Sequence, residues 1–173
     1  MTSPILHLPE HDGERREERD DIERLIAVSQ HFGAAVATDL PRIVVAIDGT
    51  DVSLALADQI IQWQQVYRWP CAVHLLWVHP FIGKEAADRQ LEANGMEQTA
   101  ATCERLNTAG VAYTRHLVMG NPAACILRRS VEIKASMILM GTRGQGPLGS
   151  ALLGSVANRV TQETEIPVTL VRA

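Results

Sequence analysis

From residue 42 onward the chain alternates short apolar runs with longer amphipathic stretches. The runs cover 42–47, 72–78, 113–119, 136–140 and 167–171, and the first, RIVVAI, is rich in β-branched residues. Runs of this length, largely apolar apart from the mixed 113–119, YTRHLVM, predict strands of a buried sheet. Between them, residues 51–67 place Leu54, Leu56, Ala57, Ile60, Ile61 and Trp63 at helical spacing. Residues 84–108 read as a long polar helix stopped by Gly110, with Gly95 expected to bend or weaken it. Asn121-Pro122 opens a third helix as N-cap and N1 proline, and residues 149–163 form a fourth. The order β-α-β-α-β-α-β-α-β predicts an α/β fold, a parallel sheet covered on both faces.

Upstream the pattern differs. Residues 1–13 are expected to be poorly ordered, and 14–32 carry Ile22, Leu25, Ile26 and Ser29 at helical spacing. One amphipathic helix ended by Gly33 is predicted there, with 34–41 as a linker. The expected division is an N-terminal extension, 1–40, and one domain, 41–173.

Composition changes this picture little. The chain of 173 residues is 46% hydrophobic and 21% charged, with mean hydropathy near zero and only 4% aromatic residues. Its net charge is −4, concentrated in residues 1–40, which hold four Arg against nine Asp and Glu. That balance offers nothing to nucleic acid or an anionic membrane. Three cysteines without paired spacing exclude a disulfide framework or zinc site. With neither a spanning apolar run nor a signal pattern, a cytoplasmic protein is expected.

In such sheets ligands bind beyond the carboxyl ends of the strands, where strand order reverses. The sequence there is Asp48-Gly49-Thr50, Val78-His79-Pro80, Gly120-Asn121 and the stretch from Gly141 to Gly149. Gly144, Gly146 and Gly149 satisfy the G-x-G-x-x-G spacing, but no carboxylate follows about 20 residues later, so a dinucleotide fingerprint fits poorly. No Gly-Lys-Ser/Thr exists, which excludes a Walker A loop. A wider spacing, Gly141-x2-Gly144-x9-Gly154-Ser155, suits an anion nest whose backbone N–H groups, helix N-terminus and Ser155 hydroxyl face phosphate. Arg143 could add a guanidinium fork. Spacing alone leaves this reading level with a purely structural turn.

The segments RIVVAIDGT, LLWVHP, VMGNP, MGTRGQGPLGSALLGSVANRV and IPVTLV, in this order, resemble the universal stress protein family over residues 41–173. G-x2-G-x9-G-S is similar to the signature of its ATP-binding branch. The resemblance implies a three-layer, Rossmann-like sandwich with a five-stranded parallel sheet in the order 3-2-1-4-5. It also implies ATP, with or without magnesium, at the strands' carboxyl ends. Ala46, Ile47 and Asp48 would line the adenosine, and Val78 would meet adenine through its main chain. Met119 and Gly120 would flank the sugar, and Gly141, Arg143, Gly144, Gly154, Ser155 and Val156 would hold the phosphates. A homodimer paired through the last strand is implied as well.

Other candidates have plainer readings. Asp48 could cap its own turn, and Asp51 reads as helix N-terminal charge rather than a magnesium ligand. His79 reads as structural. His7 and His11 are interrupted by Pro9, Trp63 and Trp69 serve as anchors, and Arg128-Arg129 is too small for a nucleic-acid patch. The expected function is a regulatory or stress-response protein acting by nucleotide-dependent binding to an unknown protein partner, with no catalytic residue. A slow ATPase and an interaction module without nucleotide are the alternatives.

Overall fold

Strands form where the apolar runs predict them, because a strand covered on both faces has no position for a solvated side chain. A computed structural model of the protein describes residues 8–142 and 153–172. In chain order the elements are β1 (Arg15–Arg19), β2 (Leu25–Phe32), β3 (Arg42–Ile47), α1 (Asp51–Ile61), β4 (Ala72–His79), α2 (Lys84–Thr108), β5 (Tyr113–Met119), α3 (Pro122–Ile133), β6 (Met137–Gly141), α4 (Ser155–Glu163) and β7 (Val168–Val171). The last turn of the predicted first helix, Gln62–Val66, is π-helical. Asn121 caps α3 as expected, its Oδ1 accepting from the Ala124 N–H at 3.1 Å.

The sheet order is β1-β2-β5-β4-β3-β6-β7. The five parallel strands within it, β5-β4-β3-β6-β7, stand in the implied 3-2-1-4-5 order, and the order reverses between β3 and β6. Ile43, Val45, Ile47, Leu75 and Leu117 face α1 and α2 in one core cluster. Val44, Leu76, Val118, Ile138 and Met140 face α3 and α4 in the other, which completes three layers. Gly95 does not interrupt α2. A Cβ there would stand 2.7 Å from the Leu117 methyl carbons, so its absence lets the helix settle onto β5.

The helix expected over 14–32 is not formed. The segment is a hairpin, β1 and β2, and β2 adds antiparallel to the outer edge of β5. Two causes override the helical spacing. Asp20 closes the turn, with Oδ1 accepting from the N–H groups of Ile22 at 3.2 Å and Arg24 at 2.9 Å, while Glu23 takes a left-handed φ of 61°. The unpaired edge of β5 then offers β2 a full ladder, from Ala27 opposite Val118 to Phe32 opposite Tyr113. Ion pairs fasten the hairpin on both sides: Arg15 to Glu92 and Arg19 to Asp88 of α2, each at 3.0 Å. On the opposite face, fully buried Arg129 of α3 grips both carboxylate oxygens of Glu18 at 2.9 and 2.7 Å.

The hairpin also brings polar groups into the sheet. Ser29 Oγ lies 2.8 Å from His116 Nδ1, and His116 Nε2 lies 3.1 Å from His74 Nδ1. His31 bonds Thr114 at 2.9 Å. Burial drives His74 down to about 3, helped by the positive fields of Arg42 and His31, and His116 falls well below its ordinary value for the same first reason. The three cysteines are buried thiols.

Candidate functional site

The carboxyl ends of β3, β4 and β6 meet α1, α2 and α4 around a cavity of about 890 Å³. It opens at the strand-order reversal, where the connections from β3 and β6 leave toward opposite faces of the sheet and cannot fill the space between them.

The β3–α1 loop forms one wall and is ordered by Asp48. Its Oδ1 accepts from the Thr50 N–H at 3.1 Å, the Thr50 hydroxyl at 2.6 Å and the Ser53 hydroxyl at 3.1 Å. Ser53 Oγ accepts in turn from the Asp48 and Gly49 N–H groups. Asp48 thus does the turn-capping work its Asp-Gly context suggests while also lining the cavity. Gly49 has φ +80°, and a Cβ there would meet Gln98 Oε1 at 2.5 Å, so glycine allows α2 to close against this loop.

The β4 wall is Trp77, Val78, His79 and Pro80. His79 Nδ1 donates to the Pro80 carbonyl at 2.7 Å, which leaves Nε2 to accept from the Asn94 amide at 3.2 Å. The far wall is Gly141, Thr142, Leu153 and the first turn of α4, including Ser155, Val156 and Asn158. The Thr142 N–H donates to the Val171 carbonyl at 2.9 Å, and the Thr142 carbonyl accepts from the Gly154 N–H at 2.8 Å, which anchors the start of α4 to the sheet. An α4 N-terminus facing the cavity presents unpaired N–H groups and the positive end of the helix dipole, an arrangement suited to an anion.

Of the residues expected at the site, Ala46, Ile47, Asp48, Val78, Gly141, Gly154, Ser155 and Val156 line this one cavity. Met119 and Gly120 are not among its lining residues. Met119 is buried in the core under α1 and α2, and Gly120 is covered by Cys125 and the Phe81 ring. Arg143 and Gly144 lie outside the described residues. Sequence reading missed Ser53, Asn94, Glu97, Gln98 and Thr142. For Asn94 and Gln98 a signal existed, since they sit four apart on the flank of the buried Leu91–Gly95–Thr99 stripe of α2. Their meeting with the β3–α1 loop could not be read from spacing. Arg129 is a buried ion-pair residue, and Trp63 packs edge-on against Trp69 with ring centres 5.3 Å apart. Among the described residues no group of three or more His, Cys, Asp or Glu could hold a metal, and no helix is long and apolar enough to cross a membrane.

Sheet order and cavity together define a doubly wound α/β protein with its cleft at the reversal point. The chain belongs to the universal stress protein family, whose model matches residues 40–172. It is 32% identical over 138 residues to a universal stress protein of Methanocaldococcus jannaschii, a match covering 76% of this chain and 81% of that one. It is 25% identical over 151 residues to the Bacillus subtilis universal stress protein YxiE, covering 76% and 98%. Among solved structures, a universal stress protein in complex with cAMP superposes with a TM-score of 0.59 at 22% identity, covering 77% of this chain and 97% of that one. The Archaeoglobus fulgidus universal stress protein in complex with dAMP gives 0.59 at 19%, covering 78% and 98%. At these identities the structural likeness concerns the fold.

Proposed function

We propose that this protein binds ATP in the cavity and acts by nucleotide-dependent binding to a partner rather than by fast turnover. The observation that carries this reading is the convergence of the β3 and β4 ends, the β6 end and the α4 N-terminus on one cavity at the strand-order reversal. The polar Asp48 end suits a ribose and base, and the α4 end suits phosphates. Adenine nucleotides in the two structural relatives named above support the choice of ligand. Magnesium would come with the phosphates, held by their oxygens and water, because the described residues supply no ligand cluster of their own. The cavity's only described carboxylates are Asp48 and Glu97, and no lysine lines it among the described residues, which favours binding over phosphoryl chemistry. The reading includes a cytoplasmic homodimer paired through β7.

Denaturing the purified protein should release an adenine nucleotide, and millimolar ATP should raise Tm. Ser155→Ala should weaken ATP binding about tenfold if its hydroxyl donates to a charged phosphate. Absence of both released nucleotide and a thermal shift overturns the reading. Conversion of bound ATP to ADP within minutes would replace it with the ATPase alternative.

A further inference from the structure

The hairpin lies outside the matched family region, yet its turn touches the β4–α2 loop, whose first residue, Pro80, lines the cavity. Because β2 runs antiparallel to β5, the turn at Asp20–Arg24 falls at the carboxyl end of the parallel strands, beside the β4–α2 loop. Arg24 makes the contact. Its Nε and Nη2 hold Asp20 Oδ2 at 2.8 and 2.7 Å, its Nη1 donates to the Ile82 carbonyl at 3.4 Å, and its guanidinium lies 5.5 Å from the Phe81 ring centre. The tip of that ring lies against Gly120, with Cζ 3.7 Å from where a Cβ would stand. Gly120 in turn donates its N–H to the His79 carbonyl at 2.8 Å. The end of β4 at His79 and the loop that follows it are therefore held from three sides: Asn94 of α2, Gly120 after β5, and Arg24 of the hairpin.

We infer that Arg24 is a positioning residue for the cavity, bracing the β4–α2 loop through Phe81 and Ile82 so that the main chain where it leaves β4, at His79–Pro80, is set before a ligand arrives. The hairpin thereby serves the site as well as the sheet edge. This rests on the nucleotide reading above. A wall already held in place saves the ligand the ordering cost, and loosening it raises the dissociation rate more than it slows association. The geometry suits a brace. Arg24 is three-quarters buried, its partner Asp20 is fixed by the turn it closes, and Phe81, itself two-thirds exposed, lies against Arg24 and Gly120.

The test measures ADP and ATP affinity by calorimetry on the full chain, with hydrogen exchange of the 78–84 amides in the nucleotide-free protein. Arg24→Ala should speed that exchange and weaken both nucleotides by the same factor, about fivefold, because the brace acts away from the phosphates. Phe81→Leu should reproduce the effect without touching the turn, and Arg24→Lys should restore part of the affinity. Arg15→Ala, which frees the hairpin from Glu92 but not from this loop, should stay within twofold of the parent. If the parent binds nucleotide and both Arg24→Ala and Phe81→Leu match it, the brace is overturned while the function stands. Equal weakening by Arg15→Ala overturns it too, by showing general loosening. A parent that binds neither nucleotide removes the proposed function, and the brace with it.

Discussion

The two ends of the sheet solve the same problem in opposite ways. At one end β1 reads RREER, and nearly every side chain is tied down: Arg15 and Arg19 to α2, Glu17 between them, Glu18 to Arg129. At the other end β7 reads VTLV, pairs with β6 alone among the described strands, and leaves Leu170 37% exposed. A charged, twisted hairpin presents an edge that repels further strands, whereas an apolar edge strand invites one. The protein closes one edge within its own chain, whereas the other is an apolar strand paired on one side only among the described strands. Ion pairs are the cost of the closed edge. The exposed ones stabilise little, but Glu18–Arg129 cannot be broken without stranding a charge in the core.

The largest effect should come from breaking the closed end at that pair. Glu18→Ala leaves the Arg129 guanidinium, fully buried, with only Glu132 Oε2 at 3.2 Å. The expected loss is about 4 kcal/mol in chemical denaturation. A loss under about 1 kcal/mol would mean that the hairpin is not anchored there.

Acid should also weaken the fold, through the histidines buried in the middle of the sheet, His74 on β4 and His116 on β5. The His74 value in the folded protein is lowered to about 3 by burial, while the unfolded chain titrates near 6.5. Above pH 6.5 both states are neutral and the group contributes no pH dependence. As pH falls below 6.5 the unfolded chain takes up a proton that the folded one refuses, so stability falls continuously toward pH 3. The fall should reach about 3 kcal/mol by pH 4 from this group alone, with His116 acting in the same direction. Denaturation midpoints measured from pH 7 to 4 check it. His74→Leu should flatten the profile, and an unchanged slope would count against the assignment.

The smallest energetic effect should come from the open end. Leu170→Lys is expected to alter unfolding free energy by less than about 0.5 kcal/mol. If β7 is the association edge, light scattering should show the variant shifted from dimer to monomer. A parent that is already monomeric ends the comparison in its present form.

The parallel half of the fold was legible because burial on both faces demands uninterrupted apolar strands. RIVVAI, AVHLLWVH and MILMG carry that mark in their residues alone. Part of the cavity was legible for a related reason: Gly141 and the Asp48 turn sit at strand ends, where an α/β sheet places its cleft, and Gly154 opens the helix that faces it. The hairpin was not legible. Ile22, Leu25 and Ile26 satisfy helical spacing, although Ile22 lies in the turn and only Leu25 and Ile26 enter β2, and RREER has no strand propensity to speak of. Met119 and Gly120 sit at a strand end too, but Met119 turns into the core under α1 and α2, and Gly120 packs against Cys125 and Phe81.

By itself, then, the sequence determined the order of elements from residue 42, the layers they build and where the cleft must open, since these follow from local periodicity and burial. The tertiary structure alone decided the state of residues 15–32, because their partners lie far along the chain. Glu18 is 111 residues from Arg129, Arg24 is 58 from Ile82, and β2 takes its ladder from the edge of β5. Where local propensity is balanced, the unsatisfied backbone of a neighbouring strand outweighs it.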